Sequence, residues 1–158
     1  MDSYLSRNNK KQMTKEEIIK LLPYQQPFLF VDTLDIVSED GVTGSYTFKE
    51  DEYFYKGHFK GSPVTPGVIL TEVMAQIGVV CLGIYLIREK LLDSEFPKIA
   101  LTSNEIDFYL PIYPEEKVTV VSEKEYFRFK KLKCKVKLLN EKNELVCSGT
   151  ISGMINFS

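Results

Sequence analysis

Thr65-Pro66-Gly67-Val68-Ile69-Leu70-Thr71-Glu72-Val73-Met74-Ala75-Gln76-Ile77-Gly78-Val79-Val80-Cys81-Leu82-Gly83-Ile84-Tyr85-Leu86-Ile87 is the segment from which the rest of the chain can be placed. Thr65 stands where a helix N-cap belongs and Pro66 where a first helical residue belongs, and the helical pattern continues to about Leu92. Its body is apolar nearly all round. An amphipathic helix needs cover on one face, whereas a helix of this kind has to be enclosed by other structure. The remaining residues must therefore wrap it.

Strand-like stretches supply the wrapper. Ile99 to Leu110, Lys117 to Phe129, Lys131 to Leu139 and Leu145 to Ile155 all read as strands, with Asn140 to Glu144 as a polar turn between the last two. Lys133, Lys135 and Lys137 alternate with Cys134, Val136 and Leu138, the pattern of a sheet with one face in water. Upstream, Phe28 to Val37 and Val42 to Phe48 are rich in Val, Ile, Phe and Thr, and Glu39-Asp40-Gly41 between them predicts a hairpin. Thr14-Lys15-Glu16-Glu17 has capping-box spacing and predicts a short lead-in helix to Leu22, ended by Pro23. The architecture expected is α+β, a strongly curved antiparallel sheet around one long central helix. Residues 14–158 are read as one domain and residues 1–13 as a flexible tail.

Composition narrows the function classes. The chain has 158 residues, 44% of them hydrophobic, enough for one full core. Its 20 Lys and Arg nearly balance 22 Asp and Glu, and no basic run is interleaved with aromatics, so no nucleic-acid footprint is expected. Cys81, Cys134 and Cys147 lack CxxC spacing and read as buried thiols of a reducing cytosol. No apolar signal core appears in the first dozen residues, and the longest apolar run, Ile77 to Ile87, is short of the roughly 20 residues a membrane span needs. A cytoplasmic protein without a membrane span is expected.

Three features carry chemistry. His58 is the one histidine in the chain, hence the one side chain suited to change charge near neutral pH, and it sits in Tyr53-Phe54-Tyr55-Lys56-Gly57-His58-Phe59, an aromatic wall. Glu72 lies inside the buried helix, where a carboxylate needs a reason; Gln76 follows at i+4 on the same face and can hold it. Apolar surroundings raise a carboxyl pKa and keep its proton available for general-acid work. Gly67, at the second helical position, has an N–H with no partner inside the helix, at the positive end of the helix dipole. A base, an acid and an oxyanion donor within fifteen residues match what elimination of water from a 3-hydroxyacyl thioester requires. Each feature alone also has a plain structural reading.

The run Gly57-His58-Phe59-Lys60-Gly61-Ser62-Pro63-Val64-Thr65-Pro66-Gly67-Val68, continued by Glu72 and Ala75-Gln76, resembles the 3-hydroxyacyl-acyl carrier protein dehydratases of bacterial fatty-acid synthesis, the FabZ/FabA-like group. The resemblance extends upstream to Leu22-Pro23 and Pro27-Phe28-Leu29-Phe30-Val31-Asp32, and more thinly to Ile106-Asp107-Phe108, Pro111 and Pro114. It implies a hot-dog fold, and a homodimer joining two sheets edge to edge, in the family often assembled into a hexamer as a trimer of dimers. It also implies that His58 takes the C2 proton, that Glu72 of the partner subunit protonates the leaving hydroxyl, and that Gly67 binds the thioester carbonyl. No metal or other cofactor is implied. The acyl chain would arrive on the phosphopantetheine of an acyl carrier protein and enter a tunnel lined by Phe59, Val68, Phe108 and Tyr109.

The chain departs from the family at several places. Tyr24-Gln25-Gln26-Pro27 stands for the common His-Arg-Tyr-Pro, Asp32-Thr33 for Asp-Arg, Pro114-Glu115-Glu116 for Pro-Gly-Asp, and Lys60 for a proline. These changes leave room for a specialised polyene or polyketide-like lipid pathway beside bulk fatty-acid synthesis. A glutamate rather than an aspartate at position 72 favours dehydration without isomerisation. Two other functions share the same frame: an acyl thioesterase that directs water at the polarised carbonyl, and a non-catalytic acyl-binding or scaffold subunit.

Overall fold

The computed structural model describes residues 12–91 and 96–156. Most of the expected tail, Leu92 at the expected helix end, and residues 157–158 lie outside the described residues. Met13, assigned by sequence to the tail, packs against the core. The capping box forms: Glu17 N–H donates to the Thr14 hydroxyl at 3.1 Å and the Glu17 carboxylate accepts from Thr14 N–H at 3.4 Å, opening α1 (Lys15–Lys20) with Ile18 inward.

Strands β1 (Thr33–Val37) and β2 (Gly41–Thr47) make the hairpin. The first strand begins five residues later than the sequence suggests. Phe28 and Phe30 have their backbone groups engaged by a side chain instead: Gln76 Oε1 accepts from Phe30 N–H at 2.8 Å and Gln76 Nε2 donates to the Phe28 carbonyl at 3.1 Å. A segment whose backbone bonds run to the central helix has fewer left for a sheet ladder.

The central helix runs from Gly67 to Leu86 in three registers, α2 (Gly67–Ala75), a π-helical stretch (Gln76–Cys81) and α3 (Leu82–Leu86). Two expectations fail here. Pro66, not Thr65, is the N-cap, so Gly67 is the first helical residue. The helix also ends near Leu86 rather than Leu92, because Arg88 turns back over the Tyr85 ring, donates to the Tyr85 carbonyl at 2.7 Å and pairs with Glu39 at 3.1 Å. Satisfying a last-turn carbonyl with a cation is an ordinary helix stop. At 20 residues the helix is long and apolar enough to cross a bilayer by length and composition alone, contrary to the apolar-run argument; 78% of its most apolar window is buried in the fold, so the sheet is its surroundings.

Strands β3 (Lys98–Phe108), β4 (Lys117–Arg128), β5 (Lys131–Leu139) and β6 (Leu145–Asn156) complete one antiparallel sheet of order β1-β2-β4-β5-β6-β3. Leu132, Cys134, Val136 and Leu138 of β5 face the helix while the intervening lysines 135 and 137 are exposed, as the alternation requires. Gly78 of the π stretch lies against Ser122 and Val136, and the buried Ser122 hydroxyl donates to its carbonyl at 2.8 Å. Fully buried Ile77, Leu82 and Ile84 line the contact. Each such side chain contributes about 2 kcal/mol of burial, against about 0.5 kcal/mol or less for an exposed ion pair such as Lys135 with Glu125. Helix enclosure therefore dominates stability, and the arrangement is the hot-dog fold.

Candidate active site

His58 lies on a loop tied into a small ring. Val64 N–H donates to the His58 carbonyl at 2.9 Å, Phe59 and Ser62 exchange two backbone bonds at 3.1 and 3.0 Å, and Gly61 takes the positive φ of 68° at the turn. The imidazole is half-buried, stacked on Phe59 with ring centroids 4.1 Å apart, and its Nδ1 is 2.8 Å from the Val64 carbonyl. A carbonyl oxygen only accepts, so Nδ1 is the donor and carries the proton. In the neutral ring the lone pair is then on Nε2.

Three residues past the ring the helix begins. Ile69 and Leu70 N–H groups both bond the Pro66 carbonyl, leaving those of Gly67 and Val68 without an acceptor in the helix. The Phe108 ring covers Gly67 so closely that a Cβ there would meet it at 3.2 Å. A flat peptide edge with a forward N–H is what remains.

Glu72 is one turn further on and partly buried. Burial raises its carboxyl pKa, and a hydrogen bond from Gln76 Nε2 at 3.0 Å works in the opposite, smaller sense. Gln76 is fully buried and spends its other bonds on Phe28 and Phe30, so the amide that holds Glu72 is itself held by the chain. Tyr24 lies close enough to feel the Glu72 charge; burial first and then that charge push its phenol up to about 12. Sequence reasoning did not select Tyr24 or Val64. The former was marked only as a family departure, and the latter acts through its backbone, which no residue type announces.

Within one chain His58 and Glu72 share neither a hydrogen bond nor a salt bridge. Phe59, Val68, Phe108 and Tyr109 are 60%, 77%, 48% and 56% exposed, so a single chain does not enclose the expected tunnel with them. A depression of about 400 Å³ on the water-facing side of the sheet, between Glu123, Lys135, Lys137, Ser148 and Thr150, includes none of these residues.

The family model described as the FabA-like domain matches residues 22–148. The chain belongs to the FabA-like family. This FabA-like chain is 36% identical over 125 residues to the 3-hydroxyacyl-[acyl-carrier-protein] dehydratase FabZ of Hydrogenobaculum sp. (strain Y04AAS1), covering 77% of this chain and 79% of that protein. It is 41% identical over 70 residues to the dehydratase FabZ of Syntrophomonas wolfei, covering 44% of this chain and 49% of that one. The chain spans about half the length, or less, of several curated relatives it matches. Among solved structures, the dehydratase heterocomplex ApeI:P of Xenorhabdus doucetiae superposes with a TM-score of 0.74 at 14% identity, over 92% of this chain and 93% of that one. At that identity the likeness is one of fold.

Gln76→Leu is expected to destabilise the FabA-like chain by about 2 to 4 kcal/mol in chemical denaturation, because Phe30 N–H, the Phe28 carbonyl and Glu72 all lose a buried partner. It also removes what lowers the Glu72 pKa, so that pKa rises further. The stability consequence has a definite sign. A carboxyl whose folded pKa is above its unfolded value favours the fold fully below the unfolded value, and the contribution is lost as pH rises through the folded one. Titration of stability against pH should show that decline in the wild type and its absence in Glu72→Gln; identical slopes in the two proteins would remove Glu72 from the account.

Proposed function

We propose that this FabA-like chain removes water from a (3R)-3-hydroxyacyl thioester carried on an acyl carrier protein, giving the trans-2-enoyl thioester. The observation that carries the reading is the Nδ1 bond of His58 to Val64, which leaves Nε2 as a base on a loop leading straight into the Gly67 N–H. Nε2 takes the C2 proton, and the electron pair of that bond becomes the second C2–C3 bond. The thioester carbonyl, set against Gly67 N–H at the helix N-terminus, takes up the developing negative charge. Glu72 gives its proton to the C3 hydroxyl, the C3–O bond breaks and water leaves. The proton on His58 returns through solvent to the Glu72 carboxylate, and the site is reset. His58 and Glu72 make both proton transfers, with no call on a metal or redox group.

Each site in this reading combines His58 of one chain with Glu72 of the partner subunit. Two features support it: the absence of a bond between the two within a chain, and the mostly exposed edge strand β3, 11 residues long, whose outer side is available to a second copy. A second copy there would cover exposed Phe108 and Tyr109 and give the acyl chain an apolar wall. Three buried unpaired thiols at Cys81, Cys134 and Cys147 support a cytoplasmic setting.

The test is incubation with short and long 3-hydroxyacyl-acyl carrier proteins, followed by mass spectrometry of the intact carrier. Loss of one water from the acyl chain is the expected result. Release of free carrier means a thioesterase, and no change with any chain length overturns the reading.

A further inference from the structure

The ring of residues 58–64 that carries His58 is closed below its neck by two side chains. Tyr55 OH lies 2.7 Å from Thr65 Oγ1, with Tyr55 6% and Thr65 5% exposed. Both ends of this contact are anchored. Thr65 N–H donates to the Ile112 carbonyl at 2.8 Å. Tyr55 N–H donates to the Glu52 carbonyl at 3.1 Å, its ring meets Phe54 edge-on at 4.7 Å, and Glu52 in turn accepts from the buried Tyr46 hydroxyl at 2.5 Å. The hydroxyl pair thus joins a fixed aromatic block, which leads into His58, to the residue directly before the Pro66-Gly67 helix start.

Building on the dehydratase reading, we propose that Tyr55 and Thr65 are positioning residues, a clasp that sets His58 Nε2 relative to the Gly67 N–H. Thr65 directly precedes the N-cap Pro66, and its hydroxyl is spent on Tyr55. Between the clasp residues the ring is held by backbone bonds of its own and by the imidazole contact to Val64, so it moves as a unit. With the clasp closed, that unit has one orientation on the helix start. With it open, the base and the oxyanion donor are independently hinged, and an offset of about 1 Å between reacting groups costs on the order of a hundredfold in rate.

The experiment separates positioning from stability. Removing one hydroxyl strands the other in a buried site, whereas removing both to apolar groups of the same shape is close to neutral for folding. Tyr55→Phe and Thr65→Val are therefore each expected to lower Tm, and the double variant to recover most of it. If the clasp positions His58, kcat of the double variant stays down by about 10- to 100-fold with KM little changed. The chain has a single histidine, so nitrogen-15 imidazole resonances report on His58 without assignment. They should show the Nδ1–H tautomer in the wild type, in Thr65→Ser and in the double variant alike, because the Val64 contact lies inside the ring, with exchange broadening only in the double variant as the whole unit reorients. A double variant with wild-type kcat and a wild-type imidazole spectrum overturns the clasp. A wild type that dehydrates no substrate overturns the dehydratase reading instead, and the imidazole spectrum alone then decides the clasp.

Discussion

His58→Ala loses dehydration by about three orders of magnitude in kcat while KM stays near the wild-type value. The split follows from what the imidazole touches. Its one polar tie is to Val64 at 2.8 Å, so it holds no part of the substrate-binding surface formed at Gly67. The step lost is abstraction of the C2 proton, and His58 is the one imidazole in the chain. Folding is little affected, because one partly buried hydrogen bond contributes about 1 kcal/mol. Steady-state kinetics on the carrier-bound substrate, with thermal melts alongside, measure both. A His58→Ala enzyme within about threefold of the wild type in kcat would remove histidine from the mechanism.

Mixing two dead enzymes should restore a living one. Glu72→Gln removes the proton given to the leaving hydroxyl and, like His58→Ala, is inactive alone. If each site draws its histidine from one chain and its glutamate from the other, co-refolded His58→Ala and Glu72→Gln chains form mixed dimers with one site intact and one doubly broken. Half of randomly paired dimers are mixed and each has one of two sites, so about a quarter of wild-type activity returns. Sites contained within single chains would return none. The measurement is activity against mixing ratio, with a maximum expected near equal amounts.

Much of this was readable before any coordinates. The capping box at Thr14, the strand boundaries of β4 and β5 and the enclosure of an all-apolar helix followed from patterns whose physics is local: one cap, one period, one apolar surface needing cover. The Glu72 and Gln76 pairing followed from i, i+4 spacing. What escaped was side chains doing work for distant backbone. Gln76 binds residues 28 and 30, 48 and 46 positions away, and thereby takes Phe28 to Phe30 out of the strand that their composition suggests. Thr65 has the right residue type for a cap but stands one residue before it, and spends its hydroxyl on Tyr55. The π-helical stretch has no compositional mark in Gln76–Cys81, and the early helix end depends on Arg88 finding Tyr85 and Glu39 together. Glu115 is similar: it takes a φ of 72°, a conformation suited to glycine, and only the family pattern hinted at it.

The order of the strands has a consequence for how the molecule is made. β6 comes last in sequence among the described strands but sits inside the sheet, bonded on one side to β5 and on the other to β3. A nascent chain that has emerged only as far as β5 has every hairpin neighbour it needs except one, and its β3 has no ladder partner at all. Non-local pairing of this kind forms slowly, and an unpaired strand edge is a site of aggregation while it waits. Synthesis must therefore proceed past residues 145–156 before the long apolar helix is shut away from water, so closure of the sheet waits for β6 and does not follow the strands in chain order.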